Sequence, residues 1–360
     1  MEPKLTLMQS IYSNGYTIEF NEQSYKKLNQ LILSNHYSSI FILTDSHCND
    51  NCSPLLLPLL EVSILIEIIE IEPGESLKTI ATCVELWTIL TEMGADRKSL
   101  IINLGGGVIS DIGGFVASTY KRGIDFIHVP TTLLGMVDAA IGGKNGVDLG
   151  LLKNQVGVIS NPKMVLIDTR YLETLPRREM RAGLAEMLKH GLIHDKNYWE
   201  QFLDLSQLDS TVLDHLIYRS IEIKNTIVLQ DPTENGIRKA LNFGHTLGHA
   251  IESHFLTTSS PLLHGEAIAI GMILEAYLSF EKGLLNTTEY HQIKYVISDL
   301  FEPVPLAEND IAQLLEYMIH DKKNEYGKIQ FALLDGIGNT CLNQEVDNEI
   351  INKAFLDYLS

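Results

Sequence analysis

Apolar residues in the first half of the chain fall in short, nearly continuous runs, and most of these runs close on a glycine, an acid or a hydroxyl. Residues 39–45, ending on Asp45, predict a buried strand. Residues 62–72 (VSILIEIIEIE), 99–107 (SLIINLGGG), 124–129 (IDFIHV) and 163–168 (KMVLID) predict four more. Unbroken apolar runs are what strands covered on both faces require. Residues 77–94 carry helical spacing and stop at Gly94, a natural C-terminal cap. Strands alternating with helices predict a parallel α/β sheet of the doubly wound kind. Ligands of such sheets sit at the carboxyl ends of the strands.

The period changes after Pro176, which lies in the polar junction LETLPRREM. From Arg177 to Tyr317 the spacing is helical, residues 328–334 (KIQFALL) read as one late strand, and the tail from Asn343 reads as an amphipathic helix. Two domains are expected, residues 1–176 and residues 177–360.

Two stretches carry chemistry. In the first, strand 99–107 runs into Gly105-Gly106-Gly107 and then VISDIGGF, a strand–loop–helix in which bare glycines let backbone N–H groups approach a pyrophosphate. Asp111 is expected in the first turn of that helix, and Thr131-Thr132 closes the next strand. Together they predict a nucleotide across several strand ends. In the second stretch, residues 238–252 (RKALNFGHTLGHAIE) read as one helix with Arg238, Asn242, His245 and His249 spaced four, three and four apart, on one stripe. His264 returns after a polar loop, and Glu186 lies three residues before Lys189 in GLAEMLKHG. His245 and His249 form one candidate metal pair, and Glu186 is a candidate hard ligand that completes a Glu/His/His site with open positions, as a catalytic metal needs.

The chain has 360 residues and a formal net charge of −19, which argues against nucleic acid or an anionic membrane as a partner. Against that acidity, Lys144, Lys153, Lys189, Lys224, Arg238 and Lys322 sit in polar or glycine-rich motifs, as a pocket for an anionic substrate demands. The first residues lack the architecture of a secretion signal, and Cys48, Cys52, Cys83 and Cys341 are expected as reduced thiols in a cytoplasmic protein. Cys48 and Cys52 have the wrong spacing for a zinc knuckle.

The series GGGVISDIGGF, YKRG, VPTTLL, VDAAIGGK, Lys153-Asn154, GLAEMLKHG, ALNFGHTLGHAIE, HGEA and DKK resembles, in order, that of the 3-dehydroquinate synthases. The resemblance covers about residues 40–340. It implies a Rossmann-like N-terminal domain, a helical C-terminal domain that binds metal and substrate, NAD, one zinc or cobalt ion, and a homodimer in aromatic amino-acid biosynthesis. It implies Glu186, His245 and His264 as metal ligands, in place of the His245/His249 pair, with His249 turned to substrate. NAD would lie against Asp45, Glu75, Lys78, Gly107, Asp111, Thr131, Thr132 and the loop Tyr171, Leu172, Glu173, Thr174. Lys144 and Lys153 would border both cofactor and substrate. Asp138, Asn154, Lys189, Lys224, Arg238, Asn242 and Lys322 would hold the substrate, and Arg122 would reach a phosphate in the partner subunit's site. The implied reaction is the shikimate-pathway step from 3-deoxy-D-arabino-heptulosonate 7-phosphate to 3-dehydroquinate and phosphate.

The chain departs from the family pattern at Asn145 in GGKNG, at GVISNP after the Lys153-Asn154 motif, in a longer loop between the two histidine motifs, and in TDSHCND, at the turn after Asp45. None of these removes a charged or ligating position. Three rival readings remain distinguishable: a metal-dependent polyol or alcohol dehydrogenase, which would release NADH; a sister sugar-phosphate cyclase; and a non-catalytic NAD-binding protein, which would have no use for the metal ligands.

Overall fold

The computed structural model describes residues 8–150, 152–205, 209–256, 258–306, 310–311, 313–314, 318 and 329–360. The chain divides into two compact units, Met1–Pro176 and Arg177–Ser360. Among the described residues, no helix is long and apolar enough to cross a membrane.

The first unit is built on a seven-stranded sheet. Its strands are β1 (Ile11–Tyr12), β2 (Thr17–Phe20), β3 (Ser39–Asp45), β4 (Leu65–Ile71), β5 (Leu100–Gly105), β6 (Asp125–Pro130) and β9 (Met164–Ile167), with β7 (Lys144–Leu149) and β8 (Leu152–Ile159) forming a separate hairpin. The sheet order is β1-β2-β9-β6-β5-β3-β4, antiparallel only between β1 and β2. Alternate residues of one strand serve opposite faces. Phe41, Leu43, Ile101 and Phe126 pack with Leu86, Leu90, Ile112 and Val116 of the helices Ile80–Glu92 and Gly107–Thr119. Ile40, Ile42, Ile102 and Ile127 are also fully buried, which is why these strands read as continuous apolar runs. The register pairs Thr44 with Leu104 and Gly105 with Pro130, so the ends of β3, β5 and β6 lie level.

The five expected strands form, and four in this unit were missed. β1 and β2 are short. The hairpin β7–β8 hides in IGGKNGVD and LLKNQVG because it is largely half-exposed and carries few of the apolar residues that mark a buried strand. Asp111 is also not in the first turn of its helix, which begins at Gly107; it lies one turn further in.

The second unit is helical: Arg177–His194, Ser210–Gln230, His245–Leu256, His264–Glu281, Thr287–Leu300 and Asn348–Leu359 are its main helices, with one small hairpin, β10 (Phe331–Leu334) and β11 (Thr340–Gln344). Asn343 thus falls in a strand, and the terminal helix starts five residues later than the sequence pattern predicts. The helix His264–Glu281 is apolar on all sides and is the buried axis of the unit, packed against Arg177–His194, His245–Leu256, Thr287–Leu300 and Asn348–Leu359.

Candidate active site

The single helix expected from Arg238 to Glu252 does not form. Ile237–Asn242 is a turn of 3-10 helix, and an α-helix restarts at His245. The break is at Gly244, whose φ of +78° is left-handed; a Cβ there would lie 2.5 Å from Cγ of Met272. The restart is stabilised from the neighbouring helix. The buried carboxylate of Glu275 accepts from the N–H groups of Gly244 (2.7 Å), Thr246 (3.0 Å) and Leu247 (3.1 Å), satisfying donors that a helix start leaves open.

This restart places the histidines. Ring centroids of His245, His249 and His264 lie 5.1, 5.4 and 5.7 Å apart pairwise, and one ligand atom from each falls within 4.8 Å of the others. Nδ1 of His245 donates to the Phe243 carbonyl at 3.1 Å, and Nδ1 of His264 donates to Glu252 Oε2 at 3.1 Å. Each ring is thereby held with Nε2 turned toward Glu186, both Nε2 atoms lying 3.6 Å from its Oε1. Donors on a tetrahedral zinc or cobalt ion lie roughly 3.3 Å apart, given metal bonds near 2.0–2.1 Å. The donor set fits such an ion. Burial opposes a charge on His264, but Glu252 and Glu186 lift its pKa to about 10, so this point in the unit favours a cation. Glu186 is fully buried and its Oε2 forms an ion pair with Lys189.

Three cations are buried near these carboxylates' own helices: Lys189 on Arg177–His194, Lys224 on Ser210–Gln230 and Arg238 on the 3-10 turn, elements that pack on one another. Arg238 is fixed by its Nη1 donating to the Pro232 carbonyl (2.7 Å) and by its backbone N–H donating to Asp231 (3.1 Å); Asn242 donates to Glu234 at 2.9 Å. Lys322 lies outside the described residues. Glu252 and Glu275 were missed in the sequence. Glu252 was legible there, standing seven residues after His245 on the same helical face; Glu275 was not.

In the first unit, Gly106 and Gly107 lie half-exposed at the start of the helix Gly107–Thr119. A Cβ on Gly106 would meet Thr132 Cγ2 at 3.0 Å, so the bare backbone lets the loop lie against Thr131-Thr132. Half-exposed glycines at a helix start, with Asp45 at the adjacent strand end, fit a dinucleotide phosphate and ribose. Gly113 and Gly114 serve packing instead: Cβ atoms there would lie 1.9 Å from Asn103 Oδ1 and 1.8 Å from Asn145 Oδ1. Beside this loop, Lys78 is buried and pairs with Asp111 (2.5 Å) and Asn154 Oδ1 (2.6 Å), while Lys153 pairs with Glu75 (2.7 Å). Burial would push the Lys78 ammonium down; Asp111, Glu75 and Asp148 together raise it well above the usual range.

Lys144 is exposed at the start of β7, and Asp138 is half-buried in a single turn of π-helix, Gly135–Ala139. In Tyr171–Thr174 only Glu173 and Thr174 are exposed; the Tyr171 hydroxyl is buried at 3.1 Å from that of Tyr25, so its ring offers no face to a cofactor. Arg122 is exposed beside Lys121, both with left-handed backbone (φ 68° and 50°), in a basin of about 450 Å³ lined also by Asp96 and Arg97.

Comparison with known proteins agrees with both halves of this description. A family described as 3-dehydroquinate synthase N-terminal matches residues 68–182, and one described as 3-dehydroquinate synthase C-terminal matches residues 183–324. A 3-dehydroquinate synthase of Parabacteroides distasonis is 42% identical over 92% of this chain and 94% of its own length. That of a Sulfurovum species is 43% identical over 80% and 82%. Among solved structures, 2-deoxy-scyllo-inosose synthase complexed with carbaglucose-6-phosphate, NAD+ and Co2+ aligns with a TM-score of 0.87 at 27% identity, over 97% of this chain and 100% of that one. A valiolone synthase of Streptomyces hygroscopicus with NAD+ and Zn2+ aligns with a TM-score of 0.85 at 26% identity, over 98% of each chain. A probable glycerol dehydrogenase of Sinorhizobium meliloti, 14% identical with a TM-score of 0.64 over 98% of each chain, shares the fold alone.

Proposed function

Since the chain belongs to the 3-dehydroquinate synthase family, we propose that it converts 3-deoxy-D-arabino-heptulosonate 7-phosphate to 3-dehydroquinate and phosphate, recycling one NAD within each turnover. The observation that carries this reading is the position of Nε2 of His245 and His264, each 3.6 Å from Glu186 Oε1 with Nδ1 anchored behind it. Glu186, His245 and His264 hold the divalent ion, and their nitrogen and oxygen donors accept zinc or cobalt. When bound, the ion would supply Lewis-acid activation of a substrate hydroxyl, and NAD would supply a reversible hydride acceptor.

The chain's own residues position and neutralise the substrate. Lys189, Lys224 and Arg238, with Asn242, Lys322 and His249, offset the charge of an anionic substrate and fix one conformer of it. Lys144, Asp138 and Asn154 orient the reacting carbons. Asp45, Glu75, Lys78, Gly107, Asp111, Thr131, Thr132 and Lys153 border the cofactor, with the loop from Tyr171 through Leu172 and Glu173 to Thr174 contributing backbone in place of the Tyr171 ring. Arg122 reaches the phosphate held by a second copy in a homodimer. Four free cysteines support a cytoplasmic protein.

The test is a coupled assay with catalytic NAD and a divalent metal, reading phosphate release and NADH absorbance together. Phosphate beyond the NAD added, without net NADH, is the expected result. Stoichiometric NADH without phosphate would move the protein to the dehydrogenases. The likeness to cyclases that act on other sugar phosphates is tested in parallel with sedoheptulose 7-phosphate; turnover of that substrate alone would overturn the assignment.

A further inference from the structure

Asp148, on β7, carries no role in the reaction proposed above. The hairpin nevertheless changes register at this residue: Val147 pairs with Val156 and Leu149 with Leu152. Three residues of β8, Lys153, Asn154 and Gln155, therefore stand opposite Asp148 alone. Extra residues on one strand form a bulge, which bends the strand and re-aims its side chains. Asn154 is in the left-handed region with φ 52°, a conformation that asparagine adopts more readily than most residues. Its N–H donates to Asp148 Oδ1 at 2.6 Å, so the carboxylate satisfies a main-chain donor at the bend.

The same residues close a ring of hydrogen bonds. The Asp148 N–H donates to the Lys78 carbonyl at 2.9 Å, the Asn154 N–H donates to the Asp148 carboxylate, and Lys78 Nζ donates to Asn154 Oδ1 at 2.6 Å. Beside the ring, Lys153 Nζ pairs with Glu75 Oε1 at 2.7 Å. The bulge thus lays Lys153 and Asn154 against Glu75 and Lys78. We infer that Asp148 is a positioning residue for the reaction: its carboxylate holds the bulge of β8 and so fixes the substrate contact Asn154 against the cofactor contact Lys78. The inference rests on the substrate and cofactor roles given above to those two residues. Asp148 acts through the Asn154 main chain and needs no contact with substrate or cofactor of its own. Its side chain is separable from the rest of the ring, because its own N–H holds the Lys78 carbonyl whatever the side chain is, and Lys78 pairs with Asp111 at 2.5 Å independently of the bulge.

The experiment compares the full-length, metal-loaded parent with Asp148→Ala, Asp148→Asn, Asn154→Gly and the double variant of Asp148→Ala with Asn154→Gly. Phosphate release from 3-deoxy-D-arabino-heptulosonate 7-phosphate gives kcat/KM, NAD is titrated without substrate, and hydrogen exchange reads the Asn154 amide. Asp148→Ala is expected to lose about tenfold in kcat/KM, the worth of one hydrogen bond to a charged group, with NAD affinity within about twofold of the parent because Lys78 retains Asp111. Asp148→Asn keeps an acceptor oxygen and should recover most of the loss. In Asn154→Gly the left-handed turn is kept and the side chain removed, so adding Asp148→Ala should lower kcat/KM no further. The Asn154 amide should exchange faster in Asp148→Ala than in the parent. Equal losses in the two backgrounds, equal amide exchange, or Asp148→Asn as impaired as Asp148→Ala would each overturn the inference. So would NAD affinity and melting temperature that fall in step with turnover, the mark of a merely structural residue. A parent that releases no phosphate would overturn the functional reading and the positioning role with it, and the Asn154 amide reports separately on the carboxylate's hold.

Discussion

Glu252 governs the candidate metal centre without being one of its expected ligands. Its carboxylate fixes the His264 ring, and such partners of a ligand are worth about 10- to 100-fold in metal affinity. Glu252→Gln is therefore expected to bind zinc about 10- to 100-fold more weakly in a chelator competition, with the helix content unchanged. Lys144 and Arg238 are separable by burial. Lys144 is exposed, so Lys144→Ala should lose turnover by about 10- to 100-fold, the worth of a hydrogen bond to a charged group, with an unaltered melting temperature. Arg238 is 2% exposed, so Arg238→Ala leaves a cavity and orphaned acceptors and must lower stability as well; Arg238→Lys is the cleaner test. At this scale spacing made the pairing of His245 with His249 legible, and their rings lie 5.1 Å apart; the set of Glu186, His245 and His264 came from the family resemblance and not from spacing. The sequence was silent where a backbone atom or a distant side chain does the work. Neither the Phe243 carbonyl under His245 nor the buried state of the Tyr171 ring leaves a pattern in the chain.

The elements show why spacing alone misled. Arg238 to His249 keeps a helical period, but the period runs through a 3-10 turn and a left-handed glycine, so the polar stripe is made by two elements. Gly244→Ala combines a left-handed backbone with a clash against Met272; it is expected to cost about 1–3 kcal/mol and to weaken metal binding, read by thermal melting and metal titration. The glycine loop divides in the same way. Gly113→Ala and Gly114→Ala collide with Asn103 and Asn145 and should lower the melting temperature by several degrees. Gly106→Ala meets the Thr132 side chain, its methyl group at 3.0 Å and its hydroxyl at 3.4 Å, and should melt nearly like the parent while losing NAD affinity. Equal melting temperatures across the three would refute the division. Buried strands were legible because both their faces are apolar; the half-exposed hairpin β7–β8 was not, because its pairing is made by backbone groups that composition does not report.

At the scale of the whole molecule, burial also decides a charge state in the sheet, where His128 is kept neutral. His128, on β6, bonds Asn103 at 3.2 Å, and burial lowers its pKa from 6.5 to about 3. The folded form then takes up its proton only at far lower pH than the unfolded chain does. Its stabilising effect is complete above pH 6.5 and is lost as pH falls toward 3, with a limiting slope of about 1.4 kcal/mol per pH unit. Urea unfolding at about pH 7 and pH 5 should differ by about 2 kcal/mol from this group, and His128→Gln should lose that difference. An equal decline in both proteins would assign it to other groups.

The Glu275 cap has a consequence for exchange of the ion. The helices that begin at His245 and His264 are joined at one end by a carboxylate already satisfied by three backbone donors, a clasp that needs no metal. Stripping the ion therefore leaves this clasp and the Glu252–His264 bond between them, and the ligands stay mustered. Chelated protein should keep its circular dichroism spectrum and reload zinc or cobalt within the mixing time of the experiment, without a refolding lag. In a cell whose metal supply varies, such a centre is restocked rather than rebuilt.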